Sequence, residues 1–535
     1  MSNYVFPRIF ARELQPIADS YGLQRNSYLL ASESYSYMAA VKSTQLQAMP
    51  ASYVELLRSV WRLNRVHNGD EFSLAIKYLT EFCAEHLRGE VKIHDFTPGD
   101  EINYWIIPPR WNLRSFSLLG PDGRVIATHR DHPLVVCPFS IPIDMELDRQ
   151  DLIQKTVSRE DLPDAYCFWF RRMYRHWEKD WSLSLPANVV RSLEPGRYRV
   201  HIDAEFTNEP MPVFEYYLQG TTDKTIFMAG HLDHPGMIND SLSGCFACLQ
   251  AIDELEKLER KTEYSYRILL LPEIIGSAVY LKRYEDLVTQ AHFALCPNLT
   301  SHDGPLALCF SKCKSSLLDV ALELTLKEGA HRHVTGGFRS YPSCGDEVSF
   351  DTTGYDIPAS TISRPTEKFP YYHTSHDDFD NFMRPENQAR HQELVHVMVG
   401  ALRKIEENFS MVPLFRGGPG LANPRLGLYL ETSSMSNMRL GNHRHTDLDG
   451  REIDLRHFME FFLDALGTNE ISVLEIAHRT NMPFAFVHDY AKAWVEKGLV
   501  RKISCNARRA SSATFVETPL ASNIMCIRNS EGARG

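Results

Sequence analysis

From Tyr217 onward the chain alternates short buried-strand candidates with amphipathic helices, a rhythm that few folds can accept. The runs KTIFMAG, YRILLLP, AHFALC, LALCF and IPASTIS read as strands. SLSGCFACLQAIDELEKLER, SAVYLKRYEDLV, SSLLDVALELTLKEG and NQARHQELVHVMVGALRKIEENF read as helices, their apolar residues recurring at three- and four-residue spacing. Such alternation predicts an α/β sandwich around a largely parallel central sheet. Its ligand site is expected in the loops beyond the carboxyl ends of the strands.

The 535 residues are too many for one core and call for two or three domains. Residues 1–52, rich in Ser, Tyr and Gln, read as a variable extension. Amphipathic helices follow over 53–91 and belong with 200–415 to the core domain. Between them, 92–199 carries short β-prone runs (YWIIP, SFSLLG, RVIATH, LVVCPFS) broken by Pro, Gly and Asp, and reads as an inserted β-rich domain. Gly417 to Pro424 is a linker by composition. Residues 425–515 order three helical segments before a short β run, as a winged helix does, and 516–535 is a tail.

Net charge of -11 and an acidic balance argue against a general polyanion binder. From 454 to 500 acids outnumber bases, so the winged-helix-like segment lacks the cationic face that phosphate contacts require. Packing against the core domain or a partner chain is the expectation there. The start carries arginines and a proline where an export signal needs an apolar run, and the apolar stretch Ile268–Leu271 stops at Pro272. Eleven cysteines are too dilute for a disulfide scaffold. These features predict a cytoplasmic protein with reduced thiols and no membrane partner. Cys245 and Cys248 fall inside a predicted helix and read as buried thiols rather than a redox or zinc pair.

Four loops carry candidate chemistry. His231-Leu-Asp233 leaves a predicted strand and leads through Asn239-Asp240 into a helix. With period-two alternation, His231 and Asp233 would be neighbours, an imidazole on a metal and a carboxylate orienting it. Asp240 would bind one cation or bridge two, or merely cap the helix. Phe369-Pro-Tyr-Tyr372-His373-Thr-Ser precedes the last long helix and can complete a site begun elsewhere. Pro272-Glu273-Ile-Ile-Gly-Ser277 ends another strand. Glu273 there is a metal ligand, a general base or a helix N-terminal acid. Asp346 and Glu347 share a fourth, Gly-bounded loop, with structural and catalytic readings both open.

Taken in order, these motifs resemble the zinc aminopeptidase and carboxypeptidase superfamily that includes glutaminyl cyclases. More closely, the chain resembles bacterial aminopeptidase-like domain proteins, some occurring with surface-polysaccharide biosynthesis. The resemblance covers roughly 55–500, including the insertion and the C-terminal winged helix. It implies a three-layer zinc-peptidase-like sandwich with a mixed, mostly parallel sheet. It also implies metal ligation by His231, Asp240, Glu273 and His373. The sequence departs from the superfamily twice: Pro272-Glu273 stands where a Glu-Glu pair is usual, and Cys296-Pro-Asn298 where a later Asp is usual. One zinc is therefore expected rather than two.

The implied chemistry is hydrolysis of an amide, with Glu273, Glu347 or Asp346 moving the proton and Asp233 supporting. Tyr372 or Arg364 would bind an oxyanion or a substrate carboxylate. A peptide or aminoacylated small molecule is the expected substrate, and self-association through the inserted or C-terminal domain the expected contact. Two alternatives stand beside it: a zinc-dependent cyclase or acyl transferase, and a non-catalytic interaction or regulatory protein on the same scaffold.

Overall fold

A computed structural model describes residues 48–341, 345–421, 425–430 and 446–503, apart from 452, 454 and 469. The expected extension (1–52, up to residue 47), Cys344, part of the linker and the chain past Ile503 lie outside the described residues.

The centre is an eight-stranded mixed sheet. In chain order its strands are β1 (Glu90–Phe96), β2 (Met211–Leu218), β3 (Thr225–His231), β4 (Ser265–Leu271), β5 (Ala291–Pro297), β6 (Leu306–Cys309), β7 (His333–Gly336) and β8 (Ala359–Ser363). The spatial order is β1-β2-β4-β3-β5-β8-β6-β7. The middle pairs β4–β3, β3–β5 and β5–β8 are parallel, as is β6–β7, while β1–β2, β2–β4 and β6–β8 are antiparallel. All seven residues of β3 are buried. A parallel strand covered on both faces reads as a continuous apolar run, which is why KTIFMAG shows no alternation.

The side chains of β3 and β4 sort by parity. Ile226, Met228, Ile268 and Leu270 face one core, built with helices α1 (Ala51–Val60), α2 (Asp70–His86), α3 (Leu242–Glu256), α5 (Leu317–Glu328) and α7 (Pro385–Glu407). Phe227, Ala229, Leu269 and Leu271 face a second core with α4 (Ile275–Arg283) and α6 (Glu347–Phe350). Helices on both faces of one sheet make the three layers.

The inserted β-rich region has its own core around Trp111, Phe116, Val200 and Ile202. Its antiparallel sheet runs in the order Val125–Thr128, Arg110–Leu119, Arg197–Thr207, Ile143–Asp148. Two boundary residues expected from sequence shift. Glu90–Phe96, which straddles 92, belongs to the central sheet, and Arg197–Thr207, which straddles 199, is a middle strand of the small one. The run LVVCPFS is not a strand either. Only Val136 bridges to Leu183, and Phe139 after Pro138 takes a positive φ of 59°.

At the C-terminal end, helices α8 (Leu455–Thr468), α9 (Val473–Thr480) and α10 (Phe484–Glu496) accompany a three-stranded sheet of Ile471–Ser472, Ser410–Pro413 and Val500–Ile503. Leu474, Phe484 and Trp494 join the core cluster that includes α5 and α7. His478 meets Glu323 at 3.1 Å, and the Phe484 N–H donates to Glu328 at 2.7 Å. This end of the chain is therefore packed on the central unit. The eight described cysteines are free thiols, and Cys245 and Cys248 are buried on α3 as expected. Among the described residues no helix is long and apolar enough to cross a membrane.

Candidate metal centre

The carboxyl ends of β3 and β4 lie level, His231 opposite Leu271. The loops that leave these ends, with those that leave β5 and β8, converge on a buried carboxylate, that of Asp240. His231 Nε2 stands 3.2 Å from Asp240 Oδ1, and His234 Nδ1 and His373 Nε2 stand 3.4 Å and 3.1 Å from Oδ2. Glu273 closes the group, its Oε2 3.6 Å from His234 Nε2. The four expected ligands are thus brought together with a fifth residue, His234.

The backbone explains how loops so far apart in sequence meet. Asp240 directly precedes the Ser241 cap of α3, and α3 can lie against the end of β5 because Gly244 has no side chain. A Cβ there would sit 2.1 Å from the Pro297 carbonyl oxygen. Asp377, four residues past His373, accepts the N–H of Asn239 at 2.7 Å and of Asp240 at 2.8 Å, tying the two motifs together. Gly345, at φ +105°, lets the Asp346–Glu347 loop pass Glu273, where a Cβ would meet Glu273 Oε1 at 2.6 Å. His234, Ile274 and His373 all take positive φ (87°, 62° and 57°), which is uncommon outside glycine and concentrates at sites whose surroundings impose the geometry.

Electrostatics follow from burial. Burial works against charge on Asp240, but His234, His231 and His373 outweigh it and hold the carboxyl well below its ordinary 3.8. Burial likewise opposes a charged His234, yet Asp240, Glu273 and Asp233 raise its pKa to about 10. For Glu273, burial is overcome by His231 and His234, and its pKa falls. The pocket demands positive charge. A proton on His234 supplies it here, and a divalent cation on the same atoms would supply more while displacing that proton.

The residues fit such a cation. His231, His234 and Asp240 each present a ligand atom within 4.8 Å of the others. Asp240 Oδ2 and His373 Nε2 face each other in a geometry that makes no hydrogen bond, which leaves buried polar atoms of the kind a metal satisfies. Imidazole nitrogen and carboxylate oxygen are zinc's usual donors in hydrolytic sites.

The supporting shell differs from expectation. Asp233 does not orient His231. Strand β3 ends at His231, so period-two alternation does not extend to 233. Asp233 instead pairs with His67 at 3.0 Å and accepts the Glu273 N–H at 3.0 Å. Burial would raise the Asp233 carboxyl, but His67, His234 and His231 bring it down to about 2. The carboxylate nearest the far nitrogen of His231 is Asp346, 3.8 Å from Nδ1, which also accepts from the Ile274 N–H and the Ser277 hydroxyl. Asn298, where the superfamily's later Asp was looked for, donates to Asp240 at 2.9 Å.

Of the two substrate-binding candidates, Arg364 is corrected. It is 2 % exposed, and its guanidinium bonds the carbonyls of Thr300, Gly304 and Arg390 and the carboxylate of Glu393. Those partners occupy it in the core, so it braces the loop before α7 rather than meeting a substrate. Tyr372 stays at the site, its ring stacked 3.9 Å from that of His373. Glu347 is buried, accepts the Gly345 N–H at 2.7 Å and lies 3.2 Å from Arg339 Nε. Burial raises its pKa to about 7, with Asp346 and Glu273 adding to the effect against the pull of Arg339.

Three site residues were not singled out from sequence. His234 belongs to the His-Leu-Asp-His run and was legible there as a second imidazole. His67 and Tyr174 come from segments with no motif. The Tyr174 hydroxyl donates to Glu273 Oε2 at 2.6 Å, and burial with Glu273 beside it pushes the phenol well above 10.

Residues 54–408 match the family described as "Domain of unknown function (DUF4910)". The chain belongs to that family. A Clostridium acetobutylicum member of the curated proteins, provisionally named a polysaccharide biosynthesis protein with aminopeptidase-like domain, is 24% identical over 417 residues, 77% of this chain and 89% of its own. A crystal structure of a protein from the same organism, provisionally named a peptidase, superposes with a TM-score of 0.69 at 21% identity, covering 88% of this chain and all of that one (100%). A zinc aminopeptidase from Bacillus subtilis aligns more loosely, at TM-score 0.48 and 13% identity over 68% of this chain and 96% of its own. The fold is therefore the one seen in that Clostridium protein provisionally named a peptidase, as the ordered motifs implied.

Proposed function

We propose that this chain is a zinc-dependent hydrolase of amide bonds, acting as an aminopeptidase on a peptide or an aminoacylated small molecule. The observation that carries the reading is the gathering of His231, His234 and His373 around the one buried carboxylate of Asp240, with Glu273 alongside. The aminopeptidase-like domain in the name of the Clostridium relative points to the same chemistry.

Asp240 and His373 would hold the cation with His231 or His234, and Glu273 would complete the set. Bound there, zinc supplies a Lewis acid that lowers the pKa of water toward roughly 7 and polarises a carbonyl. The protein's own groups do the rest. Glu347, with its carboxyl poised near 7, takes a proton from the attacking water and returns it to the leaving amine. Arg339, beside it, keeps the carboxylate available. Tyr372, packed on His373, faces the site as a candidate donor to the developing oxyanion.

The test is turnover of aminoacyl amides by purified protein, with chelator and after zinc is restored. Chelator-sensitive, zinc-restored hydrolysis that places solvent oxygen in the product supports the reading. Products without solvent oxygen point to cyclisation, and no turnover with zinc bound defeats the hydrolase reading.

A further inference from the structure

The inserted region does more than border the site: of two consecutive residues in it, one contacts Glu273 and the other is linked to it through His67 and Asp233. Tyr174 donates its hydroxyl to Glu273 Oε2 at 2.6 Å. Met173 offers its backbone carbonyl to His67 Nδ1 at 3.1 Å. The other nitrogen of His67 lies 3.0 Å from Asp233 Oδ2, a charge contact rather than an aligned hydrogen bond, and Asp233 Oδ1 accepts the Glu273 N–H at 3.0 Å. Glu273 is thus gripped at its carboxylate and at its own backbone by two routes that both start at residues 173–174. His67 and Asp233 are completely buried in this chain of contacts, and the His67 ring packs edge-on against Tyr174 at 4.9 Å.

The same segment grips the other side of the site. Phe168 N–H donates to the His373 carbonyl at 2.9 Å, Tyr166 and Ser375 exchange hydrogen bonds, and Phe168 and Phe170 pack against the His373 ring. Tyr166, Phe168 and Phe170 themselves belong to no motif that ligates or reacts.

We infer that Tyr174 and His67 are positioning residues for Glu273, and that the inserted region is thereby a working part of the metal centre rather than a separate module. A carboxylate with a free torsion would have to be ordered by the metal. One already fixed at both ends meets the cation without that entropic cost. The inference rests on the zinc reading above and adds which residues set the affinity.

The test compares zinc dissociation constants, by chelator competition, with melting temperatures of the metal-free proteins. The variants are Tyr174→Phe, His67→Gln and, as a control in the same region, the exposed Trp177→Phe. Tyr174→Phe, which deletes only the hydroxyl, should bind zinc about 10- to 100-fold more weakly while metal-free melting stays with the control. If Tyr174→Phe does not fold, His67→Gln is read by the same criterion. Wild-type affinity in the variant, or weakening matched by a lower metal-free melting temperature, overturns the inference and leaves the zinc reading standing. Failure of wild-type protein to bind zinc defeats that reading itself.

Discussion

Two buried carboxylates in this protein, Glu215 and Asp240, look alike in composition and differ in what they leave open. Glu215, on β2, is 1% exposed and surrounded by His94, Arg267 and Tyr280. Its two oxygens are both taken: Oε1 by Arg267, and Oε2 by His94 and Tyr280, each at 2.7 Å. The second nitrogen of His94 is in turn bound to Tyr284 at 2.7 Å. Asp240 is equally buried, yet it gathers three imidazoles and no arginine, and its Oδ2 and the Nε2 of His373 are left without hydrogen bonds. A network in which both carboxylate oxygens are taken by hydrogen bonds rigidifies a fold, even though Arg267 Nε beside Glu215 makes none. An open one, with several neutral-capable nitrogens around a carboxylate, is arranged to receive something.

The largest expected effect separates the two. Asp240→Ala should abolish zinc-dependent turnover while leaving a folded protein, whereas Glu215→Ala should leave turnover in whatever protein folds; an assay of both, corrected for folded fraction by near-UV circular dichroism, decides it. Next, Glu347→Gln should lower kcat by about 10²- to 10⁴-fold, the range of a lost general base. The sign of the pH dependence follows from its raised pKa. Glu347 accepts a proton only when ionised, so activity should climb as pH rises through about 7, and the glutamine variant should lose that limb.

On stability the order reverses. Glu215→Ala leaves Arg267 uncompensated, a change worth about 3–5 kcal/mol in buried pairs, measurable by denaturant melts. The smallest effect belongs to the contact between α5 and α9. His478 is 39% exposed, so His478→Ala should cost no more than about 1 kcal/mol despite its 3.1 Å approach to Glu323. A larger loss there would mean that the C-terminal helices depend on this pair rather than on the apolar packing of Leu474, Phe484 and Trp494.

The same contrast explains what was legible in the sequence. Strands β3, β4 and β5 announced themselves because burial on both faces leaves unbroken apolar runs, and His231, Asp240, Glu273 and His373 stand in loops next to predicted elements. Strand β7 did not: His333–Gly336 is a partly exposed edge strand with no apolar run. The partner of Asp233 was misread because a strand rule was carried two residues past the strand's end. Arg364 was misread because a loop arginine is ordinarily exposed, and nothing local shows that three carbonyls wait for it. His67 and Tyr174 were invisible for a different reason. Residues 67, 174, 233 and 273 meet only through the tertiary fold, and no periodicity links positions so far apart.

The central claim is that Asp240 and His373 share one cation. Zinc per chain, measured by elemental analysis on wild type, Asp240→Ala, His373→Ala and Glu215→Ala after equal exposure to zinc and dialysis, tests it most directly. The account predicts a single zinc in wild type and in Glu215→Ala, and its loss in the other two. Full zinc content in both Asp240→Ala and His373→Ala would contradict it.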